Sequence, residues 1–180
     1  MYGMVNKAVA ELVCAQFGED KWEEIKAKAD VDVDFFISSE SYPDDVTYKL
    51  VTAASEVLQV PAAAVLETFG QHWVLETASR GYGELMDAGG KNLPEFLENL
   101  PNFHTRIVMM MPRLQPPEFA VSDRTESSIR LHYHTHRPGL APFVVGLLKG
   151  LGRRFNTEVT VVHDVSKDKG ADHDEFIITW

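Results

Sequence analysis

The sequence contains a single cysteine, Cys14, so no disulfide can form within the chain. This cysteine usage is typical of a reducing compartment, and we expect a cytoplasmic protein. Positive charge is also scarce, because 17 basic residues stand against 27 acidic ones and the net charge is −10. Nucleic acids and anionic membranes both attract concentrated positive charge, so neither is an expected partner.

Long apolar runs, repeats and catalytic motifs are missing as well. No apolar stretch approaches the roughly 20 residues needed to span a bilayer. The apolar start is interrupted by Lys7 and Glu11, which argues against a signal peptide. We find no nucleophile elbow, phosphate loop or paired acid and base. The 180 residues therefore predict one domain, 1–180, that binds a ligand and is not an enzyme.

Apolar periodicity predicts helices first and strands later in the chain. Helices are expected over residues 2–17, 44–57, 61–73, 93–111 and 140–155, with a short one around Trp22. Pro101 should kink or restart the fourth of these, and Pro112, Pro116 and Pro117 should end it. Strands are expected over 119–121, 129–137, 159–165 and 176–180. The predicted class is α+β, with an N-terminal helical lobe and a C-terminal antiparallel sheet that carries the long helix at 140–155.

The stretch 129–137 alternates apolar and polar residues, as a strand with one buried face does. On its inward side the apolar residues give way to Tyr133, Thr135 and Arg137, which are all hydrogen-bond donors. A guanidinium grips carboxylates through two parallel bonds, so this row predicts an anionic ligand whose other end is apolar. The alternative interpretation is that Arg137 pairs with one of the chain's own carboxylates and Tyr133 is an ordinary core residue.

His104 falls on the apolar side of the helix predicted at 93–111. A lone histidine in such a place is more often a hydrogen-bonded core residue than a ligand. Its neighbours Asn102 and Thr105 point elsewhere on the helix, however, and they offer it no partner. This favours the hypothesis that His104 binds a ligand.

An inward histidine and an inward row of donors together suggest haem, which combines an iron, a flat apolar ring and two carboxylates. The layout resembles the H-NOX family of haem nitric oxide/oxygen binding domains, which includes the haem domain of soluble guanylate cyclase. The resemblance covers essentially the whole chain. Its motifs are Met1-Tyr2-Gly3-Met4-Val5-Asn6, Asp44-Asp45-Val46-Thr47-Tyr48, Ala53-Ala54-Ser55, Phe69-Gly70, Tyr133-His134-Thr135-His136-Arg137 and Gly139-Leu140.

The resemblance implies a haem b group buried between the two lobes. His104 matches the family's proximal ligand, and Pro117 matches a proline that presses on and distorts the porphyrin. Tyr133, Thr135 and Arg137 match the Tyr-x-Ser-x-Arg motif that holds the propionates. Thr135 stands where the family usually has serine; the hydroxyl is retained and a methyl group is added, so we expect little change.

The resemblance also predicts which gas binds. Oxygen-binding members carry a distal tyrosine whose hydroxyl stabilises bound O₂, but here the matching position is Pro142, and no tyrosine follows Tyr133. The distal wall is instead expected to be Trp73, Phe143 and Leu147. We therefore expect a five-coordinate ferrous haem that binds NO and CO and discriminates against O₂. The indole N–H of Trp73 is the one donor that would counter this.

In the family, NO binding weakens the iron–histidine bond, the porphyrin relaxes and the lobes rotate slightly. The resemblance thus implies a signalling partner, either fused or separate: a histidine kinase, a cyclic-di-nucleotide enzyme or a guanylate cyclase.

Two other functions compete with this hypothesis. His132, His134 and His136 form a row on the other strand face that would suit a cupin-like metal enzyme. Ser128 and Arg130 mark that face as solvated, and only Asp164, His163 and His173 are distant candidates for further ligands. The third possibility is a haem-free module that binds a carboxylated lipid or pigment through Tyr133 and Arg137; it would tolerate loss of His104.

Overall fold

The first part of the chain is helical because its apolar residues recur at every third or fourth position. The computed structural model describes residues 1–111 and 113–180, so the prediction for Pro112 lies outside the described residues. The helices that precede the sheet are α1 (Gly3–Phe17), α2 (Glu19–Lys28), α3 (Asp44–Leu58), α4 (Ala62–His72), α5 (Ser79–Asp87), α6 (Leu93–Glu98) and α7 (Leu100–Met110).

Local sequence signals set the start of α6 and the break before α7. The side chain of Asn92 accepts a hydrogen bond from the backbone N–H of Glu95 at 3.0 Å and so caps α6. Helix α7 begins at Leu100 with Pro101 in its first turn, where the missing N–H costs nothing. The interruption predicted at Pro101 is therefore a restart of the helix and not a kink.

Helices α3 and α4 meet at a sharp bend. Gln59 adopts a left-handed backbone conformation (φ 54°) at the end of α3, and Pro61 immediately precedes α4. No single helix in residues 1–111 or 113–180 is long and apolar enough to cross a membrane. Asp44–Leu58 and Ala62–Asp87 meet that criterion only as a pair, and the bend between them is 113°.

A π-helical segment, Trp73–Ala78, links α4 to α5. The regular helix predicted over 61–73 therefore widens at Trp73, the position expected to line a pocket. Such π segments often occur at functional sites because the extra residue changes the direction of the side chains.

The C-terminal part forms one antiparallel sheet with the strand order β1-β2-β4-β3. Its strands are β1 (Glu118–Ser122), β2 (Ser128–His134), β3 (Thr160–Val165) and β4 (Asp174–Thr179), and helix α8 (Ala141–Arg154) lies between β2 and β3 in sequence. Ile129, Leu131 and Tyr133 are buried on the inner face, as the alternation predicts. The predicted end of β2 was wrong, because the strand stops at His134 and Thr135 and Arg137 follow it.

Among residues 1–111 and 113–180 there are two apolar cores, one among α1–α4 and one between the sheet, α6 and α8. Trp73 packs against both. Helices α4 and α8 approach so closely that a Cβ at Gly146 would lie 2.1 Å from the carbonyl oxygen of Glu67, and one at Gly70 would lie 2.3 Å from that of Phe143. Backbone contact between α4 and α8 thus joins the two lobes.

Candidate functional site

His104 lies in α7 and is largely buried, and one of its ring nitrogens forms a hydrogen bond. Its Nδ1 is 3.0 Å from the carbonyl oxygen of Leu100, to which it can only donate. The proton is therefore on Nδ1, and the lone pair of Nε2 is available as a ligand. Burial lowers the pKa of His104, against the opposing effect of the Leu100 carbonyl, and so favours the neutral, metal-binding form. Sequence analysis missed this partner because it is a main-chain group.

Tyr133, Thr135 and Arg137 lie side by side across the end of β2 and the turn that follows. Burial raises the pKa of Tyr133 to about 12, with Thr135 and Arg137 acting in the opposite direction, so its hydroxyl remains a donor. The hydroxyl of Thr135 accepts a hydrogen bond from the backbone N–H of Arg137 at 3.1 Å. This bond fixes the turn that carries the guanidinium beyond the strand.

The guanidinium of Arg137 forms an ion pair with Asp44, which begins α3. Nε lies 2.7 Å from Oδ2 of Asp44, and Nη1 donates to the carbonyl oxygen of Gln115 at 2.9 Å. Burial raises the pKa of Asp44, but hydrogen bonds from the amino group of Met1 and from Arg137 outweigh this effect and keep the pKa below its usual value. The alternative interpretation, that Arg137 pairs with one of the chain's own carboxylates, is therefore correct for its Nε atom. Nη2 has no partner among the described residues and remains free to bind an anion.

The ring of Phe119, on β1, lies between His104 and Tyr133. Its centroid is 5.2 Å from that of His104 and 5.3 Å from that of Tyr133. The two predicted ends of the haem site are thus close together, but the space between them is not empty of side chains. A haem bound to both must lie against Phe119 or displace its ring. Pro117, half-buried, directly precedes this strand.

Two of the residues predicted for the distal wall, Trp73 and Phe143, lie against the ring of Phe69 where the two lobes join. The ring of Phe69 is 6.1 Å from that of Trp73 and 5.1 Å from that of Phe143, measured between centroids. Leu147 lies one turn after Phe143 on α8. Trp73 and Leu147 pack against the same apolar core that contains Tyr133. Trp73, Leu147 and Tyr133 therefore share one apolar region.

A separate cavity of about 140 Å³ lies within the helical lobe. Apolar side chains of α1, α3 and α4 line it, with Phe69 among them. None of the residues predicted to bind haem lines this cavity.

The histidine row does not form the metal site that its spacing suggested. His132 and His134 lie on the outer face of β2, while His136 is exposed beyond the strand. The expectation that the row lacks a nearby carboxylate was wrong, because Glu175 on β4 pairs directly opposite His132. A cupin-like enzyme finds no support in the fold or in the comparisons described below.

Two side chains at the site cannot be identified from the sequence patterns. Asp44 lies at the predicted start of a helix, but its side chain forms an ion pair with Arg137. Phe119 lies in a predicted strand, and no pattern places it at the pocket. The signal that could have revealed Asp44 was its place in a motif shared with the H-NOX family.

The family described as haem-NO-binding matches residues 2–163. Soluble guanylate cyclase gcy-35 of Caenorhabditis elegans is 30% identical over 99% of this chain, which corresponds to 27% of that protein. Soluble guanylate cyclase gcy-32 of the same organism is 31% identical over 90% of the chain and 24% of its own length. The chain thus spans about a quarter of the length of these relatives.

Solved structures share the fold over nearly the whole chain. An H-NOX protein from S. oneidensis in the Fe(II)NO ligation state has a TM-score of 0.90 at 24% identity, covering 99% of this chain and 98% of that one. Unliganded Fe(II) H-NOX protein from K. algicida has a TM-score of 0.86 at 22% identity, with 99% and 96% covered. The predicted α+β architecture is confirmed.

Proposed function

Because the chain belongs to the haem-NO-binding family, we propose that it is a haem-based gas sensor domain with His104 as the axial ligand of the iron. The observation that carries the proposal is the hydrogen bond between Nδ1 of His104 and the Leu100 carbonyl. It leaves Nε2 as a lone-pair donor held in one orientation, as haem ligation by a proximal histidine requires.

The proposed cofactor is haem b, which would supply the ferrous iron that binds NO or CO. Tyr133 and Arg137 would hold its propionates, since a neutral phenol and the free Nη2 are suitable donors for carboxylates. Thr135 supports this arrangement by fixing the turn that carries Arg137. Pro117 supplies a rigid contact for the porphyrin from the segment before β1.

Apolar side chains on the distal side account for the proposed selectivity. Trp73, Phe143 and Leu147 offer no hydroxyl to a bound gas, and Pro142 also lacks a donor. Bound O₂ carries partial negative charge and needs a hydrogen-bond donor, whereas NO and CO bind without one. The protein is therefore expected to discriminate against O₂.

Two elements can carry the signal to a partner. His104 links ligand binding to α7, which is separated from α6 by the restart at Pro101. The ion pair between Arg137 and Asp44 links the turn after β2 to α3 in the helical lobe. Movement of either element would change the orientation of one lobe relative to the other, as expected of a two-state switch. The output partner proposed from the curated relatives is a guanylate cyclase; a histidine kinase and a cyclic-di-nucleotide enzyme are further candidates, all in the cytoplasm.

Absorption spectra of the reduced, haem-loaded protein under NO, CO and air test the proposed selectivity. We expect new, stable spectra with NO and with CO, and an unchanged ferrous spectrum immediately after brief exposure to air. Trp73→Phe removes the indole N–H and keeps an aromatic ring, so it should behave like the wild type. A stable oxy spectrum of the wild type would refute the selectivity, and its loss in Trp73→Phe would identify the indole as the donor.

A further inference from the structure

Three side chains with metal-binding atoms converge on the outer face of the sheet, on the side opposite to Tyr133. His132 on β2 pairs directly across from Glu175 on β4. His173 lies in the loop just before β4, and its Nε2 contacts both His132 and Glu175. The nearest atoms of these three side chains all lie within 4.8 Å of one another. The antiparallel register therefore assembles a group that no continuous sequence motif contains.

The distances within this group approach those of a tetrahedral metal site. Nδ1 of His132 is 2.9 Å from Nε2 of His173. Oε1 of Glu175 is 3.4 Å from Nε2 of His173 and 3.7 Å from Nδ1 of His132. In a tetrahedral zinc site with bonds of about 2.0–2.2 Å, neighbouring ligand atoms lie roughly 3.3–3.6 Å apart. Shifts of a few tenths of an ångström would place all three around one ion.

Each of the three side chains also contacts a further polar residue through an atom that faces away from the group. Nε2 of His132 contacts the hydroxyl of Ser122 at 2.8 Å, and Nδ1 of His173 lies 3.4 Å from Oδ2 of Asp172. Arg130 donates to Oε2 of Glu175 at 2.7 Å. Such partners orient metal ligands and fix their tautomers in known sites. The atoms that remain available for an ion are Nδ1 of His132, Nε2 of His173 and Oε1 of Glu175, which face one another.

Charge and exposure also favour a cation at this place. Asp123, Asp164 and Glu175 all pair with one arginine, Arg130, and a further carboxylate, Asp172, lies beside His173. The side chains of His132, His173 and Glu175 are 21%, 19% and 18% exposed, so an ion can enter from solvent. Two imidazoles with one carboxylate suit zinc better than the oxygen-seeking Mg²⁺ or Ca²⁺.

We propose that His132, His173 and Glu175 form a zinc-binding site with water as the fourth ligand. For an ion to bind, the proton between the two facing nitrogens moves to the outer nitrogen of its own ring, where Ser122 or Asp172 can accept a hydrogen bond from it. Both imidazoles then stay neutral, and each facing nitrogen keeps a lone pair. The ion would tie β2 to the start of β4 and to the loop between β3 and β4. This site shares only His132 with the H-x-H-x-H row, since it uses neither His134 nor His136, and it is independent of the proposed gas sensing.

Zinc binding to the tag-free, haem-loaded protein tests the proposal. Equilibrium dialysis against Zn²⁺ with a competing chelator, followed by elemental analysis, should find one zinc per chain in addition to the haem iron. His132→Ala and His173→Ala should each weaken binding by at least about 100-fold, because loss of even a supporting partner costs roughly 10–100-fold. The control His136→Ala alters an exposed histidine outside the group and should bind zinc like the wild type.

A second measurement separates loss of the site from loss of the fold. At a hundredfold excess over the Kd, zinc should raise the Tm of the wild type by roughly 5–10 °C and leave that of His173→Ala unchanged. The haem spectrum should be the same in all variants. The proposal is overturned if the wild type binds no zinc at micromolar concentration, if binding survives His132→Ala, or if His134→Ala abolishes it instead.

Discussion

Replacement of His104 by glycine is expected to reduce the haem retained after desalting by roughly tenfold or more. The imidazole is the proposed ligand of the iron, and losing a ligand should cost at least as much as losing a group that supports one. Added imidazole should restore haem binding, because the vacated volume admits the free ring. The measurement is the ratio of Soret to protein absorbance after gel filtration, with and without imidazole.

His136→Gly is the matched control, since it removes an exposed histidine outside the predicted site. It should retain haem like the wild type. A His104→Gly protein that keeps its haem and an unchanged five-coordinate ferrous spectrum would show that another residue holds the iron.

Substitution of Gly146 by alanine is expected to destabilise the protein by about 3 kcal/mol, near the upper end of the usual cost of overpacking. The new Cβ would lie 2.1 Å from the carbonyl oxygen of Glu67. This is main chain and cannot rotate away, so α8 must move away from α4. For a domain of this size the loss corresponds to roughly 6–12 °C in Tm, measured by circular dichroism at equal haem content.

Gly81→Ala is the control, because it replaces a helical glycine by alanine without creating a steric clash. Gly81 lies in α5, where an added Cβ would meet no atom within 4 Å. Alanine there should be neutral or stabilise the helix by up to about 1 kcal/mol. If Gly146→Ala melts at the wild-type temperature, the close approach of α4 and α8 does not limit the stability of the lobe junction.

The close crossing of α4 and α8 also involves Phe143 and Leu147, which are predicted to line the distal wall. Both flank Gly146 on α8, and the backbone of each lies near Gly70 on α4. The glycines thus let α8 bring its side chains to the junction of the lobes. Sequence analysis identified the apolar stripe of α8 but not the role of its glycines, because periodicity reports which face is apolar and not how close its neighbour lies.

Local signals were sufficient for most of the elements, but they did not predict α5 or the π-helical segment before it. The apolar stripe of α8, the cap at Asn92 and the restart at Pro101 follow from interactions within a few residues, and the structure has all of them. The alternation along β2 identified its buried face correctly. The predicted strand was too long because the polar residues after His134 continue the alternation while the backbone turns.

Contacts between distant segments could not be predicted in the same way. Arg137 is paired with Asp44, which is 93 residues earlier in the chain. His132 meets Glu175 only because β2 and β4 are neighbours in the sheet. Both pairs depend on topology and register, which composition and periodicity do not determine. The resemblance to a family supplied roles for single residues, but it did not supply these pairs.

An experimental structure of the reduced, haem-loaded protein tests the central claim most directly. Nε2 of His104 is predicted to bind the iron, with Tyr133 and Arg137 at the propionates of the same haem. An iron bound by any other side chain, or a haem remote from Tyr133 and Arg137, would contradict the claim.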